Sequence, residues 1–130
     1  KNIKFYTNDN KERNVEIGII TFYKGQEEKI KDLFNSDISF NREEKSFVNI
    51  GTVDSFQGKQ YDIVLLSCVR SNNNNKVGFL DNQNRLCVAL SRASYLLVMF
   101  GDETTIKEVK ILKEYIREFK NKGGYFSENI

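Results

Sequence analysis

The chain reads as an α/β protein with a mostly parallel sheet, and three observations carry that reading. Apolar runs of strand length recur at Val15 to Thr21, Asp62 to Val69 and Tyr95 to Phe100. The run Ile63-Val64-Leu65-Leu66 is too continuous for a strand with one wet face and suits one covered on both sides. Between these runs lie segments of helical period, and strands alternating with helices place the helices on the faces of a parallel sheet.

Taken in order, Ile3-Lys4-Phe5-Tyr6 is a short edge strand in a polar stretch, and Val15 to Thr21 is a buried strand. Tyr23 to Phe34 is a helix with Ile30, Leu33 and Phe34 at helical spacing, followed by a charged connection from Asp37 to Ser46. Phe47 to Val53 alternates apolar and small residues as a strand, and Asp62 to Val69 is the most apolar strand in the chain. Asn72 to Asn75 is a solvated loop, since four asparagines cannot build a core, and Val77 to Leu80 is a short apolar segment. Asn82 to Ala93 is a helix burying Leu86, Leu90 and Ala93, and Tyr95 to Phe100 is a strand stopped by Gly101-Asp102. Thr104 or Thr105 caps a last helix that turns Ile106, Val109, Leu112, Ile116 and Phe119 inward and ends at Gly123-Gly124.

At 130 residues the chain is long enough for one domain, residues 1–130, that buries about two-thirds of its unfolded surface. Twenty basic and eighteen acidic residues leave a net charge of +2, so any polyanion-binding surface must be local. Cys68 and Cys87 sit on an apolar strand and an apolar helix face without C-x-x-C spacing, which makes them reduced core residues and points to an intracellular setting. No apolar run approaches the eighteen residues of a membrane span, and no secretory leader is visible. The absent initiator Met is expected of a piece of something larger.

Two segments about thirty residues apart hold the polar clusters. In the first, the turn Gln57-Gly58-Lys59-Gln60 stands directly before the most apolar strand, preceded by Thr52, Asp54 and Ser55 at the end of another. In the second, Arg85 and Arg92 lie seven residues apart and so share one helix face. His is absent, which excludes His-based catalysis. Neither Ser nor Cys stands in a nucleophile motif, no metal-ligand spacing occurs, and there is no G-x-x-x-x-G-K-[ST] phosphate loop.

Thr52 to Ser71 and Asn84 to Ser94 resemble the fifth and sixth motifs of superfamily-one helicases, in particular those related to the nonsense-mediated-decay helicase and to senataxin. Val15 to Gln26, with Gly18-Ile19-Ile20-Thr21-Phe22-Tyr23, is similar to the family's fourth motif, and the three matches run in the family's order. The resemblance implies a three-layer RecA-like fold of the P-loop NTPase type, here the second such domain of a helicase. It implies ATP in the cleft between two RecA-like domains, with Mg²⁺ held by the first.

By the same resemblance, Arg92 in Ala89-Leu90-Ser91-Arg92-Ala93 is the catalytic arginine finger; a guanidinium suits that role because its fixed fork spreads charge over phosphate oxygens. The plain alternative is a surface Arg paired with a carboxylate. Gly58 and Gln60 would border the nucleotide, Gln60 replacing the acid that bonds the ribose hydroxyls, and Arg85 would support Arg92 or a phosphate, or serve only as a surface residue. Thr21, Tyr23, Thr52, Asp54, Ser55 and Gln57 would meet the nucleic-acid backbone, though capping and turn roles suit the same residue types. Phe22 stands where the family has Pro and loosens that turn, and Gln26 is either a cap partner or a backbone contact.

The expected partners are single-stranded RNA or DNA and the first RecA-like domain of the same chain. A membrane is not among them. The expected state is a monomer in the cytoplasm or nucleus, without ATPase activity in this half alone. The competing expectation is a catalytically silent α/β interaction module within a larger protein.

Overall fold

The computed structural model describes residues 4–6, 12–69 and 82–128, so the Asn72 to Asn75 loop and the Val77 to Leu80 segment lie outside the described residues. Four strands form one parallel sheet in the order β4-β3-β5-β6: β3 (Ile17–Thr21), β4 (Val48–Thr52), β5 (Tyr61–Ser67) and β6 (Ala93–Phe100). A separate antiparallel hairpin of β1 (Lys4–Tyr6) and β2 (Glu12–Asn14) precedes them. The helices are α1 (Lys24–Ser36), α2 (Arg42–Ser46), α3 (Gln83–Leu90), α4 (Glu103–Ile106) and α5 (Lys110–Asn121), with a 3-10 turn at Val53–Phe56.

The strand order reverses at β3. The chain steps from β3 to β4 on one side, then passes back across β3 to reach β5 on the other. Parallel crossovers are right-handed, so a reversal moves the next connection to the opposite face of the sheet. Accordingly α1 lies on the face of Thr21 and Ser67, which its Gln26 bonds, whereas the 3-10 turn and α3 join the core on the face of Ile20, Val64 and Leu66. This is the three-layer α/β arrangement of a RecA-like domain.

The core fills that second face. Ile20, Val64, Leu66, Leu86, Ala89 and Leu112 are completely buried, and Val53, Phe56 and Cys68 are nearly so. Each large side chain buried there contributes about 2 kcal/mol of transfer free energy. The crossover can lie flat on the sheet because Gly51 has no side chain: a Cβ there would come within 2.8 Å of the Phe56 ring. Burial pushes the Cys68 thiol up to about 12, which keeps it protonated and inert.

Several sequence expectations change. Cys87 is exposed, because α3 turns Leu86 and Ala89 fully inward, with Leu90 and Ala93 half-buried against the core. On α1 the buried residue is Glu27, held by Lys31 at 2.5 Å and Lys24 at 3.0 Å, while Leu33 is 64% exposed. The 37–46 connection contains α2, closed by a reciprocal capping box between Asn41 and Glu44. The last helix is two helices, and Asp102, not a threonine, caps the first by accepting from the Thr104 amide at 2.9 Å. Phe22, expected to loosen its turn, is 2% exposed in the core and anchors it.

At the amino edge of the sheet Arg13 of β2 donates two 2.6 Å hydrogen bonds to Asp62 of β5, and the Glu16 amide donates a third at 2.9 Å. The Arg13 guanidinium holds the Asp62 carboxyl below the usual carboxylate range, against the opposing push of burial. A carboxyl depressed in the folded state adds stability that is present above its unfolded pKa of about 3.9 and lost as pH falls through the folded value. Asp62→Ala should therefore lower the melting temperature at pH 7, with the gap to wild type closing below about pH 4; parallel thermal melts from pH 7 to 2 read this directly, and a pH-independent gap would deny the ion pair its role.

Candidate nucleotide and nucleic-acid edges

The sequence-predicted residues divide between opposite edges of the sheet. Parallel register sets Thr52, Thr21 and Ser67 side by side at the carboxyl ends of β4, β3 and β5, with Phe100 continuing the row on β6. Gly58, Gln60 and Arg92 lie at the amino ends of β5 and β6. Strands of five to seven residues separate the two edges by roughly 15–20 Å.

At the carboxyl edge Gln26, one turn into α1, bridges two strand ends. Its carbonyl oxygen accepts from the Thr21 hydroxyl at 2.5 Å, and its amide nitrogen donates to Ser67 Oγ at 2.6 Å. Thr21 Oγ1 also accepts from the Tyr23 amide at 3.3 Å, and Thr21 is completely buried. Its hydroxyl is thus committed inside the protein, in contrast to the expected phosphate contact, and Thr21 fixes the turn into α1 instead. Tyr23 is the half-buried N-cap of α1 and makes no side-chain cap bond. Thr52 is half-buried, and its carbonyl accepts from Ser55 Oγ at 2.7 Å.

The crossover carries the remaining candidates. Asp54, Ser55, Gln57, Gly58 and Gln60 are all exposed. Gly58 has φ +78°, the left-handed region where a Cβ is strained, so glycine is required for the turn. The Asp54 carboxylate accepts from Arg85 Nη2 of α3 at 3.1 Å, which joins one expected nucleic-acid residue to one expected nucleotide residue. Gln60 lines a recess of about 560 Å³ at the amino edge together with Asn14, Glu16, Tyr61 and Ser94.

Arg92 lies outside the helix that was expected to carry it. The helix ends at Leu90, Ser91 is its C-cap, and Arg92 leads into β6, so Arg85 and Arg92 do not share a helix face. The reason is a long-range contact: the Tyr61 amide donates to the Arg92 carbonyl at 3.0 Å, and this draws residue 92 into the sheet. Its guanidinium has no carboxylate within 4 Å among the described residues and donates from Nη2 to Ser91 Oγ at 3.0 Å. Arg92 Nε is buried with no hydrogen-bond partner among the described residues, a donor suited to an anionic oxygen.

Sequence reading did not place Ser67, Arg13 or Asp62 in any network, and it left Gln26 open. Ser67 carried a legible signal, as the polar residue ending the most apolar strand, like Thr21 and Thr52 at the ends of theirs.

Comparison with known proteins places the chain in a family. The AAA domain family matches residues 2–104. A regulator of nonsense transcripts 1 homolog of Neurospora crassa is 39% identical over 107 residues, 82% of this chain and 10% of that protein. The helicase required for RNAi-mediated heterochromatin assembly 1 of Schizosaccharomyces pombe is 45% identical over 92 residues, 71% of this chain and 9% of that protein. The ATP-dependent helicase NAM7 of Saccharomyces cerevisiae is 35% identical over 108 residues, 83% of this chain and 11% of that protein. The chain belongs to the AAA domain family and, within it, to the Upf1-like helicases of superfamily one. It spans about a tenth of the length of these curated relatives. Among the described residues no helix is long and apolar enough to cross a membrane.

Two substitutions test the local geometry by urea denaturation. Gly58→Ala should cost about 1–2 kcal/mol through its positive φ, and an unchanged midpoint would show that the turn relaxes freely. Gln26→Leu should cost about 1–3 kcal/mol by stranding the buried Thr21 and Ser67 hydroxyls, with Gln26→Glu milder because it still accepts from Thr21.

Proposed function

We propose that this chain is the second RecA-like domain of an ATP-dependent helicase that moves along single-stranded RNA or DNA. The observation that carries the reading is Arg92: a buried guanidinium nitrogen without a partner among the described residues, at the strand-entry turn of the segment that resembles the sixth helicase motif.

When bound against the amino edge, ATP would supply the phosphoanhydride whose cleavage drives movement. Arg92 acts as the finger that neutralises phosphate charge, its backbone held by Tyr61 and its Nη2 by Ser91. Gln60 offers an amide to hydroxyls, and Gly58 lets the backbone turn close to the nucleotide. The recess beside Gln60 fits a polar ligand edge, being lined by Asn14, Glu16 and Ser94. Mg²⁺ and the phosphate loop belong to a first RecA-like domain, the partner across the cleft.

At the carboxyl edge Thr52 and Ser55 contact the backbone of a single strand, which binds without base readout as a translocating motor requires, while Gln57 stands beside the Gly58 turn at the other end of the crossover. Thr21, Gln26 and Ser67 hold that edge from within. The Arg85–Asp54 ion pair links α3, which leads to Arg92, with the crossover that leads from Thr52 to Gly58. Closure at the amino edge is thereby conveyed to the carboxyl edge, but only when both halves are present to bridge.

The test joins this chain to its upstream half and measures ATP hydrolysis stimulated by single strands. Arg92→Ala should lower it a hundredfold or more, about 3 kcal/mol of barrier, and the 130-residue chain alone should turn over no ATP. Retained activity in the variant would sink the finger assignment. An inactive parent would leave a silent interaction module as the better reading.

A further inference from the structure

The chain carries one local concentration of positive charge that none of the helicase motifs contains. On α5, Lys110, Lys113, Arg117 and Lys120 follow one another at spacings of three, four and three, which puts them on one stripe of the helix. Leu112 and Ile116 on the same helix are buried, and this fixes its rotation so that the exposed lysines and Arg117 face solvent. Lys107, from the turn between α4 and α5, adds a fifth cation. Together they line a groove of about 540 Å³.

Most of this charge is uncompensated. Lys120 pairs with Glu103 at 2.6 Å, but Lys107, Lys110, Lys113 and Arg117 have no carboxylate within 4 Å among the described residues. Glu103 and Glu114 are the groove's only acidic members. Five cations against two carboxylates leave it three charges positive, more than the +2 of the whole chain.

Its place in the fold indicates what the charge is for. α4 begins at Glu103, three residues past Phe100, and Phe100 ends the row that Thr52, Thr21 and Ser67 begin. That row spans about 15 Å across four strands, and α4, whose Glu103 lines the groove, follows directly from its β6 end. Phe100 is 53% exposed at the junction, an aromatic face on which a base can stack.

We propose that the α4–α5 groove binds the phosphate backbone of single-stranded nucleic acid, extending the path at the carboxyl edge past β6. This rests on the nucleic-acid reading of that edge. A membrane surface fits the groove less well, because an interfacial helix needs exposed apolar residues on its binding face, and those of α5 are turned into the core.

The test uses the 130-residue chain and a fluorescein-labelled 20-nucleotide oligouridylate, with affinity measured by anisotropy across a salt series. Relative to wild type, the triple variant Lys110→Ala, Lys113→Ala, Arg117→Ala should bind at least tenfold more weakly at low salt. Its slope of log affinity against log salt should be shallower by about 2, since each lost phosphate contact on a single strand removes about 0.7. The three positions are exposed, and an unchanged melting temperature verifies the fold. As a gain-of-charge counterpart, Glu114→Lys should tighten binding and steepen the slope. Wild-type binding that the triple variant leaves unchanged in affinity and slope would overturn the groove while leaving the carboxyl edge standing, and Thr52→Ala tests that edge separately. Absence of oligonucleotide binding by wild type would overturn both. Preferential binding to phosphatidylserine vesicles, lost in the triple variant, would overturn the proposal in favour of a membrane.

Discussion

The connection from β4 to β5 is short, and much of the structure follows from that. It must descend from the carboxyl edge to the amino edge while passing over β3, a diagonal of about 22 Å for strands about 4.8 Å apart. Residues 53–60 are all it has. A 3-10 turn at Val53–Phe56 and a turn through Gly58, closed by the Lys59 amide donating to the Phe56 carbonyl at 3.1 Å, fill it, whereas an α-helix rising 1.5 Å per residue would fall short. The segment lies flat against the sheet, with Val53 and Phe56 pressed into the core over Gly51 and its polar residues turned outward.

The short crossover joins the two candidate edges. It starts at Thr52, in the hydroxyl row, and ends in the Gly58 turn beside Gln60. Arg85 grips it through Asp54, and the helix that bears Arg85 delivers the chain to Arg92. The same shortness explains why exposed residues in this segment are held without being buried.

Much of the fold was legible because it rests on local chemistry. Continuous apolar runs marked β3, β5 and β6, and helical period marked α1, α3 and α5. The Gln57-Gly58 turn announced itself through a glycine that its positive φ requires. The errors came where a long-range contact overrode local preference. Helical propensity extends past Leu90, but the Tyr61 amide captures the Arg92 carbonyl and ends the helix early. Apolar pattern put Leu33 inside, yet Glu27 is the residue α1 buries, because Lys24 and Lys31 neutralise it. Cys87 belonged to an apolar stretch whose buried stripe is set by Leu86 and Ala89 instead.

By itself the sequence determined most of the secondary elements, the alternation that requires a parallel sheet, and the motifs that resemble those of superfamily-one helicases, since these depend on near neighbours and on motif order. Only the tertiary structure decided which of those residues meet. Strand register aligned Thr52, Thr21 and Ser67 and let Gln26 bury the Thr21 hydroxyl, and the parallel direction of the strands set Arg92 and Thr52 at opposite edges. Pairings between residues forty and more positions apart, such as Gln26 with Ser67 or Arg13 with Asp62, leave no periodic trace in the chain. They arise from the hand of the crossovers and the lengths of the strands, which act on the assembled sheet.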